Sequence, residues 1–474
     1  MNAPFRSPLP GHTISHAGFV ARTGPGASLR ELRHHGLLLL DGIELTIRDD
    51  HWGTIDHEAT PVEPAAGELV RWRIGGGNAS GHVVVRGLDG GLAVEVDLVA
   101  ERHLVTCRVG LVVLHPLDQV GQPVRWWQGP SSDLVTWPAR VSPWPVFSEI
   151  DAVDVGQGDS TVRLAFGGER FETEDHRNWC DAGWKSYAPP LARSQQAPWP
   201  AGTARRAEVT VQRVDEVLQR HEQADINPGT GVPATWWVVG PGTADALASI
   251  GAGDLFVEVL DTAAGRQRFE QAADLAEASG RRLWCTLALD APSQAWRDLL
   301  SSRASVLAGV CVVDRPTHGT TPVLLQWARD TAQQRWLTGS GTRGYLAELG
   351  RSSMPHREAD YVQLSVAAQV HHTDPERVLD TLRALPHVVA TARSIAGGRP
   401  VVLAPVSVPQ RLSVHVEPDD HYASWCEPVA PHPDPALQRA WLTDVVGAST
   451  GAWAVALDPT SLDAAPRGDR MEQP

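Results

Sequence analysis

Along the first part of the chain, apolar positions recur in short runs: Leu38 to Ile47, Leu69 to Ile74, His82 to Arg86, Leu92 to Leu98, Leu104 to His115 and Ser160 to Phe166. Several of these alternate with a period of two, which puts successive side chains on opposite faces of a strand. Runs this short, bounded by turn residues and lacking helical periodicity, predict antiparallel β-structure. Gly167-Gly168 separates Val162-Arg-Leu-Ala-Phe166 from Glu169-Arg-Phe-Glu172 at the spacing of a tight hairpin. The Pro- and Gln-containing stretch from Pro189 to Gly202 reads as a loop, and Ala207 to Gln212 as a last strand. An N-terminal antiparallel β-sandwich over residues 1–215 is therefore expected.

From there the period changes. Apolar strands at Thr235 to Val239, Leu255 to Leu260, Leu283 to Leu289, Gly309 to Val313, Arg335 to Thr338, Tyr361 to Val366, Val401 to Pro405 and Ala452 to Leu457 alternate with helical stretches. The latter include Arg266 to Ala278, Pro322 to Gln333, Pro375 to Leu385 and Pro435 to Val446. Repeated strand-helix units imply a parallel sheet, and eight of them fit a (β/α)8 TIM-type barrel over 216–458, with an open doubly wound sheet as the alternative. Residues 459–474 read as a polar tail. In a barrel the chemistry sits at the carboxyl ends of the strands. That rule selects Glu258, Asp261, Asp290, Asp314, the Gly339 to Arg351 segment, Gln369 to Asp374 and Asp458. Gly240-Pro-Gly242 follows a strand, but Asp245 stands where a dinucleotide-binding turn needs its third glycine and would repel a pyrophosphate. A plain strand-to-helix turn is the better reading, and no cofactor is expected.

Composition narrows the classes. The 474 residues carry a formal net charge of −15 and no basic run, which speaks against a nucleic-acid surface. No apolar stretch is long enough for a membrane span or a secretory h-region. Five scattered cysteines, Cys107, Cys180, Cys285, Cys311 and Cys426, form no CxxC pair, so neither a disulfide framework nor a structural metal site is expected. Reduced thiols in a cytoplasmic protein are the simplest account.

The chemistry concentrates in one segment. Of 41 basic residues only Lys185 is lysine, and it lies within Glu172-Thr-Glu174-Asp175-His176-Arg177-Asn178-Trp179-Cys180-Asp181-Ala182-Gly183-Trp184-Lys185-Ser186-Tyr187. Arginine replaces lysine on a solvated face but not where a compact ammonium is required. The bland alternative is an exposed i,i+4 pair with Asp181. Arg177 and Asp181 can likewise be a structural ion pair, His371 a barrel-lining histidine, and Asn178 and Tyr187 partners for backbone groups. Tryptophan supplies 18 of the aromatic residues, among them Trp126-Trp127, Trp236-Trp237 and Trp425. Most tryptophans are core or boundary residues; Trp179 is singled out because polar residues surround it.

Several segments resemble the D-apionate lactonase family. They are Leu45 to Thr54 with Arg48-Asp49-Asp50-His51-Trp52-Gly53-Thr54, Arg108-Val-Gly-Leu-Val-Val-Leu-His115-Pro116, Glu174 to Tyr187, Gly344-Tyr-Leu-Ala-Glu348-Leu-Gly-Arg351, and Gln369-Val-His371-His-Thr-Asp374. The resemblance spans both halves and implies a β-domain, a TIM-type barrel and hydrolysis of a branched-sugar lactone to its aldonate in apiose breakdown. The chain departs from the family pattern at Ala367-Ala368 and Gly350, and the family's further C-terminal domain is expected to be absent.

Opening a lactone takes a base to activate water, a donor for the developing oxyanion and an acid for the leaving alkoxide. Glu174 or Asp175 is the candidate base, Lys185 with Arg177 the charge stabilisers, and His371 the candidate acid. Glu172, Arg177, Asn178, Trp179, Asp181, Tyr187, Glu348 and Gln369 complete the expected substrate contacts, with a small-molecule sugar lactone as partner and no nucleic acid, membrane or metal. Two alternatives stand beside this reading. One is a glycosidase with two barrel carboxylates drawn from Glu348, Asp314 and Asp458; the other is a non-catalytic sugar-binding protein.

Overall fold

The computed structural model describes residues 11–193, 196–219, 226–239, 251–412 and 434–458. The chain gathers into two compact units that do not follow the sequence simply. One holds residues 1–176 and 183–225, the other 177–182 and 226–474.

The first unit is two nine-stranded sheets, all of whose pairings are antiparallel. Leu37–Asp49, Leu104–Pro116, Gly183–Tyr187 and Phe171–Asp175 are neighbours, in that order, in the first sheet. Gly91–Ala100, Ala204–Arg213 and Val162–Gly167 are central in the second. Trp137 and Trp184 are fully buried, their ring centroids 4.5 Å apart, with Phe147 5.6 Å from Trp137. Each such ring removes on the order of 150–250 Å² from water, so this cluster dominates the local packing energy.

The hairpin expected at Gly167-Gly168 is not one. Val162–Gly167 belongs to the second sheet and Phe171–Asp175 to the first, so the glycines carry the chain from sheet to sheet. Phe166 and Phe171 then stack at 4.1 Å with their planes 5° apart. Gly168 has φ +101°, and a Cβ there would meet the Arg206 carbonyl at 2.9 Å. The loop expected at Pro189 to Gly202 contains a short strand, Ala197–Trp199, paired with the start of Leu104–Pro116. Ser131–Thr136 leaves no sequence signal, being a polar, largely exposed edge strand without alternation.

The second unit contains a closed barrel of eight parallel strands: Ala234–Val238, Asp254–Leu260, Leu283–Leu289, Leu307–Asp314, Leu337–Gly341, Tyr361–Gln369, Val401–Pro409 and Ala454–Leu457. Ala234–Val238 pairs with both the second and the eighth strand, which closes the ring and sets aside the open-sheet alternative. Helices start where side chains cap their first turns. Thr262, Ser293, Thr321, Asp374 and Asp434 each accept a backbone N–H, and Pro322, Pro375 and Pro435 follow three of these caps. The helix expected to end at Leu385 runs on through Pro386 to Ile395, held by buried Val388, Val389 and Ala392. The fifth strand begins later than expected, at Leu337, because Arg335 still closes the turn after the preceding helix through the Ala332 carbonyl. Gly240 to Asp245, Trp425, Cys426 and residues 459–474 lie outside the described residues. No helix among the described residues is long and apolar enough to cross a membrane.

Candidate functional site

The polar segment is divided between the units. Within the first, antiparallel register puts Glu172 opposite Tyr187, Glu174 opposite Lys185, Lys185 opposite Leu114, and Tyr187 opposite Val112. Directly opposed residues share a face. Glu172, Glu174, Lys185 and Tyr187 therefore form one buried polar patch, as alternation along Phe171–Asp175 suggests. Lys185 lies on a strand and is only 8% exposed, so an exposed helical i,i+4 pair with Asp181 does not describe it. Glu172 fixes the neighbourhood: Oε1 accepts from the Tyr187 hydroxyl at 2.9 Å and the Leu191 N–H at 3.1 Å, and Oε2 accepts from Ser148 at 2.9 Å. The Tyr187 phenol is pushed well above its ordinary range, first by burial and then by the Glu174 charge. Asp175 points to the opposite face and accepts the Ser142 N–H at 2.9 Å. Of the two candidate bases, Glu174 is thus the one beside Lys185.

Arg177 to Ala182 belong to the second unit, with the barrel. Arg177 is fully buried, and its Nη1 donates to His387 Nδ1 at 2.8 Å. That bond requires the nitrogen to be an acceptor, hence an unprotonated one. Asn178 is buried beside it in the chain. Asp181 Oδ2 lies 2.6 Å from Nδ1 of His371, two residues beyond the sixth strand, and Oδ1 lies 4.0 Å from His372 Nε2. The side chains of His371 and Asp181 are 19% and 13% exposed, sheltered yet reachable from solvent. Trp179 meets His371 edge-on, centroids 5.6 Å apart, while the Arg351 guanidinium sits 5.4 Å over the Trp179 ring. Burial drives the neighbouring Cys180 thiol far up, and the Asp181 charge adds to that, so it is no nucleophile at neutral pH.

Carboxylates at the barrel's strand ends are committed elsewhere. Glu258 Oε1 accepts from Arg343 Nε at 2.8 Å, both side chains almost wholly buried, and Asp458 Oδ2 accepts from Arg411 Nη1 at 2.6 Å. Arg411 also approaches Glu258 at 3.9 Å. The cavity lined by Glu258, Arg343, Ser365, Ser407 and Arg411 measures about 10 Å³, the lower limit for a single water. Asp261 holds Arg266 and Trp296, Asp290 pairs with Arg315, and Asp314 accepts both the N–H and the hydroxyl of Thr317. Glu348 caps its own helix through the Tyr345 N–H at 2.7 Å, and burial raises its carboxyl. Gln369 ends the sixth strand, half-buried beside Pro409.

The Asp181 to His371 pairing was not visible in the sequence, because 190 residues separate its members. Arg351, which closes the Glu348-Leu-Gly-Arg351 motif, joins the site through Trp179. In the first unit, Asp49, Asp50 and His51 bring potential ligand atoms within 4.8 Å of one another. Asp49 Oδ1 already accepts the His51 and Gly53 N–H groups, so this is a turn before it is a metal site.

Comparison with known proteins also divides the chain in two. The model for the D-apionate lactonase N-terminal domain matches residues 5–216, and that for the D-apionate lactonase TIM barrel domain matches residues 229–416. A D-apionate lactonase of Brucella anthropi is 25% identical over 448 residues, covering 83% of this chain and 72% of that protein. Among solved structures, an apo β-glucosidase matches at 12% identity and TM-score 0.28, covering 46% of this chain and 76% of its own. A Clostridium thermocellum endo-1,4-β-D-xylanase with CBM22-1 and GH10 modules matches at 11% identity and TM-score 0.26, covering 87% and 89%. Scores of this size carry no argument about activity.

Proposed function

The chain belongs to the D-apionate lactonase family, and from that premise we propose that it hydrolyses a D-apionolactone-like sugar lactone to the aldonate, in the breakdown of the branched sugar apiose. The observation that carries this reading is the 2.6 Å pair of Asp181 and His371. With Nδ1–H donating to the carboxylate, His371 presents Nε2 as an acceptor, the tautomer a general base needs. Nε2 takes a proton from water as its oxygen attacks the lactone carbonyl. The imidazolium, stabilised by Asp181, then returns that proton to the ring oxygen as the C–O bond breaks. One histidine thus serves in turn as base and acid, and Trp179 limits its rotation. Glu174 and Lys185 remain the second candidate set, a carboxylate base and a compact oxyanion donor. Cys107, Cys180, Cys285 and Cys311 are free thiols, which supports a cytoplasmic setting.

Purified protein tested against a panel of aldonolactones, with acid release followed at constant pH, decides the matter. Turnover in the parent and its loss in His371→Gln support the proposal; no acid release from any lactone, or parent-like rates in His371→Gln, refutes it. The glycosidase alternative loses support because Glu348 caps its own helix, Asp458 is held by Arg411 and Asp314 accepts from Thr317.

A further inference from the structure

We propose that Arg351 is a positioning residue: its guanidinium, seated over the Trp179 ring, holds that ring against His371 and so keeps the imidazole on Asp181; its bearing on turnover rests on the lactonase reading above. Arg351 ends the Leu346–Arg351 helix, and its guanidinium carbon lies 5.4 Å from the Trp179 centroid. That is within the roughly 6 Å over which a cation is attracted to an indole face. The same ring meets His371 edge-on, with centroids 5.6 Å and planes 85° apart. Arg351, Trp179, Asp181 and His371 all belong to the second unit. His371 needs such a wall, because rotation of an imidazole about χ2 is soft and roughly two-fold. A half-turn exchanges Nδ1 for Cδ2 and sets a carbon against Asp181 in place of the 2.6 Å bond. With that bond goes the preference for the Nδ1–H tautomer.

The backbone that carries Trp179 is fixed by its neighbours. Arg177, two residues before, is fully buried and bonded to His387 at 2.8 Å. Cys180, the next residue, is buried against the Ala367 backbone on the sixth strand, and Asp181 is the partner of His371. The Trp179 side chain is only half-buried, so its orientation depends on the groups that stand against its ring, and the guanidinium of Arg351 covers one face. A different task for Arg351 would be to offset the buried carboxylate of Glu348, three residues earlier on the same helix. Losing that task would cost the helix stability and leave the imidazole as it is. The two roles therefore separate in experiment.

The imidazole nitrogens report on this directly. In the full chain, isotopically labelled at histidine nitrogen, the NMR shifts of Nδ1 and Nε2 give the tautomer at alkaline pH, and His371→Gln identifies the His371 signals. The parent is expected to hold mainly Nδ1–H. Arg351→Met should move the tautomer ratio about two- to five-fold towards Nε2–H, the size of one exposed cation–π contact. Arg351→Lys, which keeps a cation, should restore most of the shift. In a Trp179→Leu background Arg351→Met should add nothing, because its effect passes through the ring. A parent-like ratio in Arg351→Met overturns the proposal, as does an equal effect of Arg351→Met with and without Trp179. Should Arg351→Met not fold, Arg351→Gln takes its place in both comparisons. Lactone assays run alongside separate the two readings. In an active protein kcat should fall with KM unchanged, and a rise in KM alone would make Arg351 a substrate contact and overturn the positioning role. The expected tautomer shifts in a protein inert to every lactone preserve the positioning role and remove the lactonase, whereas turnover with an unresponsive tautomer does the reverse.

Discussion

Two close pairs in the barrel unit, each built on one carboxylate, look alike on paper and differ in kind. Glu258 and Arg343 are sealed, close, and bordered by a cavity of about 10 Å³. Asp181 and His371 lie 2.6 Å apart but are partly open to solvent. A charge pair that uses its members up holds a structure together. One that solvent partly reaches can act on a substrate. Strand-end position, the rule that pointed to Glu258 and Asp458, does not distinguish these cases; the partners do.

The sharpest way to break this comparison is to truncate His371. His371→Ala should lower kcat/KM about 10²- to 10⁴-fold, the usual size of a lost general acid–base, with little change in stability. Asp181→Asn should act in the same direction by upsetting the tautomer. Steady-state hydrolysis of whichever lactone the parent turns over is the check, and undiminished kcat/KM in both variants would sink the catalytic reading.

The converse holds for the sealed pair. Glu258→Gln should destabilise the barrel by about 3–5 kcal/mol, because Arg343 keeps a buried charge without its counterion. Urea denaturation measures this. Turnover per folded molecule should stay near the parent value, and a selective loss of turnover at intact stability would mean that the two pairs had been assigned the wrong way round.

Lys185→Met is expected to have a smaller effect, a drop in kcat/KM just above ten-fold, or about 1.4 kcal/mol, if its ammonium meets charge in the transition state. Lys185→Arg should rescue it poorly, since a planar guanidinium cannot place one compact donor. Parent-like turnover in the methionine variant would confine Lys185 to a structural part on its sheet.

A further expected effect is one of pH. Burial lowers the His115 pKa from 6.5 to about 3, and its Nε2 lies 2.8 Å from the Ser186 hydroxyl. Because the folded state resists the proton that the unfolded chain accepts, His115 contributes stability that is fully present above pH 6.5. That contribution is lost progressively as pH falls from 6.5 towards 3. His115→Gln should flatten the pH dependence of the thermal midpoint across this window, and an unchanged slope would contradict the assignment.

Much of the fold was legible in the chain. Barrel strands such as Leu283–Leu289 are continuous apolar runs because both their faces are covered, and Thr-Pro and Asp-Pro steps announce helices at Pro322, Pro375 and Pro435. Gly167-Gly168 misled because a sheet crossover and a hairpin call for the same residues; only the Phe166–Phe171 stack tells them apart. At the site, types were legible and pairings were not. Lys185, Trp179, Asp181 and His371 stood out by composition and motif. That Asp181 would meet His371, and Glu258 meet Arg343, depends on barrel closure and on the path of Arg177 to Ala182, neither of which leaves a local signal.

The six residues from Arg177 to Ala182 limit how this protein can be taken apart. They are encoded within the β-rich half yet belong to the barrel's compact unit, so that unit is not a contiguous stretch of gene. A barrel inherited or expressed without the first 225 residues would lack Arg177, Trp179 and Asp181, leaving His371 without its carboxylate. The sandwich alone would carry a loop with nothing to close. Neither half is a module that recombination could pass on with its chemistry intact, and exchange between relatives should conserve the join at residue 182 as strictly as any residue in the site.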